Sequence, residues 1–198
     1  MTIAINRALV TRVLATAAAA AAAAVLTTPP AAHAAATKKV TFRGMTLAIP
    51  STWVVEKDHT GDWVSLSTRK CRDADTACPA LQLVGPKVLK GGDYLESYKP
   101  GSPFAPSTGV AACRLNPTTK YGERFVGAKP LTSGYRPVGA GHKAEYRVWA
   151  GECYSFKTDK RTATFKQREW YLPKSKILIV DGYGIAATDA IIKTATWN

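Results

Sequence analysis

The alternation of apolar and polar residues gives this chain its first outline. From Val40 to Ile49 apolar positions recur at every second residue, interrupted at Arg43-Gly44-Met45, and Pro50 closes the run. Period-two patterning broken by a Gly turn predicts a hairpin. Trp53-Val54-Val55 and Trp63–Ser67 read as two further strands about a Thr60-Gly61-Asp62 turn, and Ala80–Val84 as another. Asp93–Tyr98 is expected to form one or two helical turns. Pro100–Gly109 holds three prolines and two glycines, a density no regular element tolerates, and reads as a loop.

Strands are expected again over Val110–Leu115 and Arg124–Ala128, then over Lys143–Trp149, Thr164–Leu172 and Ile177–Asp181 as an antiparallel run. Pro173-Lys174-Ser175 supplies the last turn. Ile177-Leu178-Ile179-Val180 is apolar without alternation, as in a central strand covered on both faces. At the end, Ala187, Ile191 and Ala195 fall on one helical stripe with Ile192 beside it. Strands that outnumber two short helices predict an α+β fold, an antiparallel β-sheet packed with a few helices. An all-β sandwich or barrel is the alternative.

The first 34 residues carry a different pattern. Arg7 and Arg12 precede an Ala/Val/Leu stretch from Val13 to Leu26, and Ala32-His33-Ala34 is an A-x-A cleavage site. That is the layout of a cleaved secretory signal. Residues 35–39 are then a short leader and 40–198 a single globular domain. Composition agrees with a folded chain: 46% hydrophobic residues, five Trp and eight Tyr exclude a disordered polymer. The 27 Lys and Arg exceed the 14 Asp and Glu by 13, and by 11 once Arg7 and Arg12 are removed.

All four cysteines, Cys71, Cys78, Cys113 and Cys153, lie beyond the signal. An even number in an exported chain predicts two disulfides, with three pairings open. The local choice joins Cys71 to Cys78 around a polar turn and leaves Cys113 and Cys153 to staple distant strands. Zinc needs a C-x₂₋₄-C spacing that none of the gaps supplies.

Two stretches resemble the PsbP-like family, whose fold is shared with a Ran-binding nuclear import factor. Phe42-Arg43-Gly44-Met45 followed by Ile49-Pro50-Ser51-Thr52-Trp53 is similar to that family's opening hairpin, and Thr164–Trp197 to its strand–strand–helix finish. The resemblance implies an antiparallel sheet between helices and a binding or assembly role. Manganese-cluster and Ran binding do not carry over, because no residue that bears them is matched.

Catalytic motifs fare poorly. Ser67-Thr68-Arg69-Lys70 spells S-x-x-K but lacks the S-D-N and K-T-G companions that chemistry requires. Gly139–Ala144 fits G-x-G-x-x-A yet precedes a strand, where a dinucleotide loop must open a helix. His59 and His142 have no G-x-S-x-G partner, and Asp58-His59-Thr60-Gly61-Asp62 reads as a solvated turn before it reads as a metal site. Asp181-Gly182, ending the expected central strand, is the best single acid, with a turn role as the plainer reading. No cofactor and no metal are called for.

The basic excess favours a polyanionic partner such as an anionic cell-wall polymer or an acidic lipid surface, with nucleic acid less favoured. Arg69–Arg72 and Lys157–Arg161 are its densest spots. The expected function is a secreted, disulfide-stabilised basic binding domain engaging an anionic envelope component or a partner protein. A secreted hydrolase with unlocated acids and an inhibitor presenting the 100–109 loop are the alternatives. The expected binding face is Arg147, Trp149, Arg168 and Trp170. An odd residue sum between their strands would set them on one side, whereas a one-residue slip would pair Arg147 with Glu169 and disperse them.

Overall fold

In a computed structural model, residues 36–70, 77–92, 95–107 and 109–198 are described. The folded unit spans Ala35–Asn198. The expected signal at 1–34, Cys71 and the start of the expected 93–98 helix lie outside the described residues.

A hairpin of β1 (Thr37–Phe42) and β2 (Met45–Pro50) comes first, turned by Arg43 and Gly44, both at positive φ. The strand begins inside what the sequence suggested was a leader. Lys39 pairs with Ala48 and Lys38 with Ile49, so the ladder extends as far back as its partner strand allows. β3 (Val54–Lys57), β4 (Trp63–Ser67) and β5 (Ala80–Val84) then form a meander in which each strand pairs with the next.

The first helix among the described residues is α1 (Pro86–Lys90). Pro86 stands in the first turn, where its missing N–H costs nothing, and Gly91 ends the helix at φ 76°. Asp62 Oδ2, in the turn before β4, accepts the Lys87 amide at 2.5 Å and so caps α1. The described residues 95–98 lack helix; Leu95 instead bridges to Ser107. The expected strand over Val110–Leu115 reduces to one bridge, Ala112 to Gly122, flanked by amide bonds from Cys113 and Glu123.

β6 (Tyr121–Val126) and β7 (Thr132–Pro137) both pair with one edge of β8 (Lys143–Ser155). β8 runs antiparallel to β9 (Arg161–Leu172), which pairs with β10 (Ile177–Asp181). The main sheet is ordered β3-β4-β5-β10-β9-β8-β6, antiparallel and open. α2 (Thr188–Lys193) and the short β11 (Thr196–Trp197), which joins β2, complete the chain. This is an α+β fold with a mostly antiparallel sheet and, among the described residues, two short helices, and the barrel alternative is set aside because the sheet does not close.

Both faces of the sheet are covered. One face carries Val64, Leu66, Leu83, Trp170, Ile177 and Ile179 against the β1–β2 hairpin and α2. The other carries Val84, Leu178 and Val180 against Val88 and Leu89 of α1 and Phe104 of the Pro-rich loop. β10, shared by the two layers, is buried at all five positions, as its unbroken apolar run implies.

β8 and β9 have 13 and 12 residues, whereas β5 and β10 have five each. At about 3.3 Å per residue the long pair reaches some 40 Å and its neighbours about 17 Å, so β8–β9 overhangs the rest of the sheet. On one side of this arm the Cys113–Cys153 disulfide (Cα–Cα 5.4 Å) packs with Phe165, Tyr121 and Phe125. The other side of the arm reaches past the hairpin-and-helix layer. Gly151 makes the arm possible: the Phe165 ring occupies the space where its Cβ would lie, 2.2 Å from the nearest ring atom.

Candidate functional site

The β8–β9 register pairs Tyr146 with Trp170, Arg147 with Glu169 and Val148 with Arg168. This is the dispersing register. Arg147 and Trp149 lie on the α1 side of the sheet, Arg168 and Trp170 on the α2 side. Trp149 and Trp170 are 2% and 1% exposed, so both indoles are core. Arg147 is held by Glu145 at 2.6 Å, and Arg168 by Asp181 at 2.5 Å and Asp189 at 2.8 Å. The four residues therefore do not form one open stacking-and-charge face, because the side-chain period of two sends each basic-aromatic pair to a separate layer.

The acids weighed for chemistry are occupied by the fold. Asp181 is fully buried and accepts the amides of Tyr183, Gly184 and Ile185, the Thr188 hydroxyl and Arg168. It fastens the chain leaving β10 to the start of α2. Gly182 follows because a side chain there would meet Arg114 Nη1 at 1.9 Å. That Arg114 is gripped by both oxygens of Glu123 (2.6 and 2.9 Å) and lies 4.1 Å over the Phe165 ring. Asp58 accepts the Trp63 amide and the Thr60 hydroxyl, and Asp62 serves Arg43 and α1. His142 stacks on Trp197 with ring centroids 4.0 Å apart.

Glu169, which the sequence did not single out as an acid, is fully buried beneath the Pro-rich loop. Its carboxylate accepts the Phe104 amide at 2.7 Å, Gln167 Nε2 at 2.8 Å and the Tyr98 hydroxyl at 3.2 Å. Burial pushes its carboxyl above the ordinary range, opposed by those hydrogen bonds. Burial, with the Glu169 charge beside it, also pushes the Tyr98 phenol up. Phe104, centre of the loop read as a presented finger, points inward: it is buried, and its carbonyl accepts Gln167 Nε2. The loop's middle is anchored to the sheet.

A concavity of about 540 Å³ lies at the overhanging arm. Val126 of β6, Leu131 before β7 and Ala150 of β8 form an apolar wall, with Phe165 and Tyr183 contributing aromatic surface. Val126, Leu131 and the nearby lining residue Leu115 are 47%, 56% and 41% exposed, three of the six large apolar side chains most open to solvent among the described residues. Arg161 and Lys166 also line it, and neither makes an ion pair among the described residues. The acid of the lining, Glu152, is bound to Arg124 at 2.8 Å. The arrangement offers apolar contact beside two cations that make no ion pair among the described residues, which suits binding.

Sequence reasoning missed this site because it depends on where the cover layers end. The available signal was local. The face of β9 that carries Trp170 and Leu172 turns polar at Thr164 and Lys166, which marks where burial stops. The described residues contain no group of three His, Cys, Asp or Glu placed to hold a metal, and no helix long and apolar enough to cross a membrane. Comparison of the chain with protein-family models and with curated proteins gives no match.

Proposed function

We propose that this chain is an exported, non-catalytic binding domain that engages an anionic component of the cell envelope through the cleft on the β8–β9 arm. The observation that carries the reading is the pairing of exposed Val126 and Leu131 with unpaired Lys166 and Arg161 around one cleft. Cleft volumes of this size are ordinary for small ligands or ligand segments. The net charge of +11 that remains once Arg7 and Arg12 are removed draws anions to the whole surface, and the cleft gives them a place to dock. Buried Asp181, Glu169 and Asp62 and part-buried Glu123 each hold amides, hydroxyls or arginines of the fold, which argues for structural duty over general acid–base work. The likeness of the opening hairpin and the closing strands to the PsbP-like family points the same way, toward a binding or assembly role.

The test is retention of the purified protein on immobilised anionic wall polymer as salt rises. Each neutralised charge releases counterions, so retention should fall steeply with salt. Replacing Lys166 and Arg161 by Ala should reduce that dependence by about one to two charges. Retention that ignores salt, or that is untouched by the double substitution, overturns the reading.

A further inference from the structure

The cleft is built unevenly. Its wall is hydrocarbon from Val126, Leu131 and Ala150, whereas its cations, Lys166 and Arg161, belong to β9. The cleft lies over a face of paired strands, whose backbone groups are spent in the ladder: Val126 pairs with Ala150 and Ala150 with Lys166. An extended peptide laid here would find no ladder for its backbone groups, and burying them unpaired against Val126 and Leu131 is costly. A helix brings its own hydrogen bonds but is 10–12 Å across, too bulky for about 540 Å³. A hydrocarbon chain has no such groups to satisfy, and it gains from every apolar contact.

We propose that the cleft seats one monomeric single-chain fatty carboxylate, its hydrocarbon along Val126, Leu131 and Ala150 and its carboxylate on Lys166 and Arg161. This rests on the reading of the cleft as the anion-binding site and names what it holds. Charge complementarity favours an anionic head: Lys166 and Arg161 make no ion pair among the described residues, whereas the acid of the lining, Glu152, is held by Arg124, which also binds Asp159. The tail is fixed by exposure, since Leu131 and Val126 are about half open to water in the free protein and would be covered by a chain.

The experiment is calorimetric titration of the whole protein with dodecanoate below its micelle concentration, with butanoate as the head without a tail. Dodecanoate should saturate at one molecule per chain and butanoate should give no saturable heat. Leu131→Gln and the pair Lys166→Ala with Arg161→Ala should each weaken binding about tenfold or more, in line with one lost apolar side chain or the lost ion pairing. Val126→Gln, on a different strand, is the second tail-side variant if Leu131→Gln fails to fold. No saturation below the micelle concentration, equal affinity in the tail variants, or uptake only by phosphatidylglycerol vesicles overturns the proposal. If dodecanoate fails while the Lys166/Arg161 substitutions still lower retention on wall polymer, the fatty carboxylate is wrong and the anion-binding cleft stands. If neither responds, both fall.

Discussion

Glu169 is a fully buried carboxyl group. Its carboxylate ties Tyr98 and Phe104, two points of the loop segment, to the middle of the sheet. Burial raises its proton affinity above that of an exposed glutamate, whose pKa is 4.5. In the unfolded chain the group therefore ionises at lower pH than in the folded one. Its contribution to stability is fully present below pH 4.5 and is lost as pH rises through the higher folded value. Glu169→Gln retains an acceptor for the Phe104 amide and removes the charge. The melting temperature of the native protein should decline from pH 4.5 upward, and that of the variant, followed against pH, should lack this decline. A native-like decline in the variant would assign it to another group.

Among the elements, the β8–β9 arm shows both how much could be read from the residues and where reading stopped. Ile177–Val180 was legible as a doubly covered strand, and the Val40–Ile49 hairpin as a hairpin, because their pattern is set by local burial. The ends of β8 and β9 were not legible. Ala150-Gly151-Glu152 and Arg161-Thr162-Ala163 have neither alternation nor strong strand propensity, and they form strand because each supports the other across the ladder. Register was equally hidden, since one residue of slip exchanges the faces of Arg147 and Trp149 and only tertiary packing decides it. α1 was missed although Pro86 and Gly91 bracket it, five residues being too few for a periodic signal. The arm's outer cover, in turn, depends on a staple. Cys113–Cys153 closes a separation of 40 residues, and Cys78 is disulfide-bonded as well. Replacing Cys113 and Cys153 by Ala should cost roughly 4 kcal/mol on the chain-entropy relation. Hydrogen exchange should then quicken first at the Cys113 and Glu123 amides, which join the cover to β6. Unchanged exchange there would mean that Arg114 and Glu123 alone hold the cover.

On the scale of the molecule, two cores lie on opposite sides of one sheet and share β10. Ile179 reaches the larger core under the hairpin and α2, and Leu178 the smaller one under α1 and Phe104. Both side chains are completely buried. A strand common to two cores couples them: loosening either layer removes half the packing that holds β10, and β10 bonds both β5 and β9. The layers should therefore melt together despite their unequal size. Ile179→Ala and Leu178→Ala should each destabilise by about 2–5 kcal/mol, the usual range for truncating a buried aliphatic side chain. Each variant should still unfold in one transition, with backbone circular dichroism and tryptophan fluorescence superimposing along the urea curve. Tryptophans report from both sides, Trp170 in the larger core and Trp63 against the smaller. If Leu178→Ala instead produces an early fluorescence change that precedes loss of the sheet, the α1 layer folds as a separate unit. The loop anchored on Glu169 would then open without disturbing the face that carries the cleft.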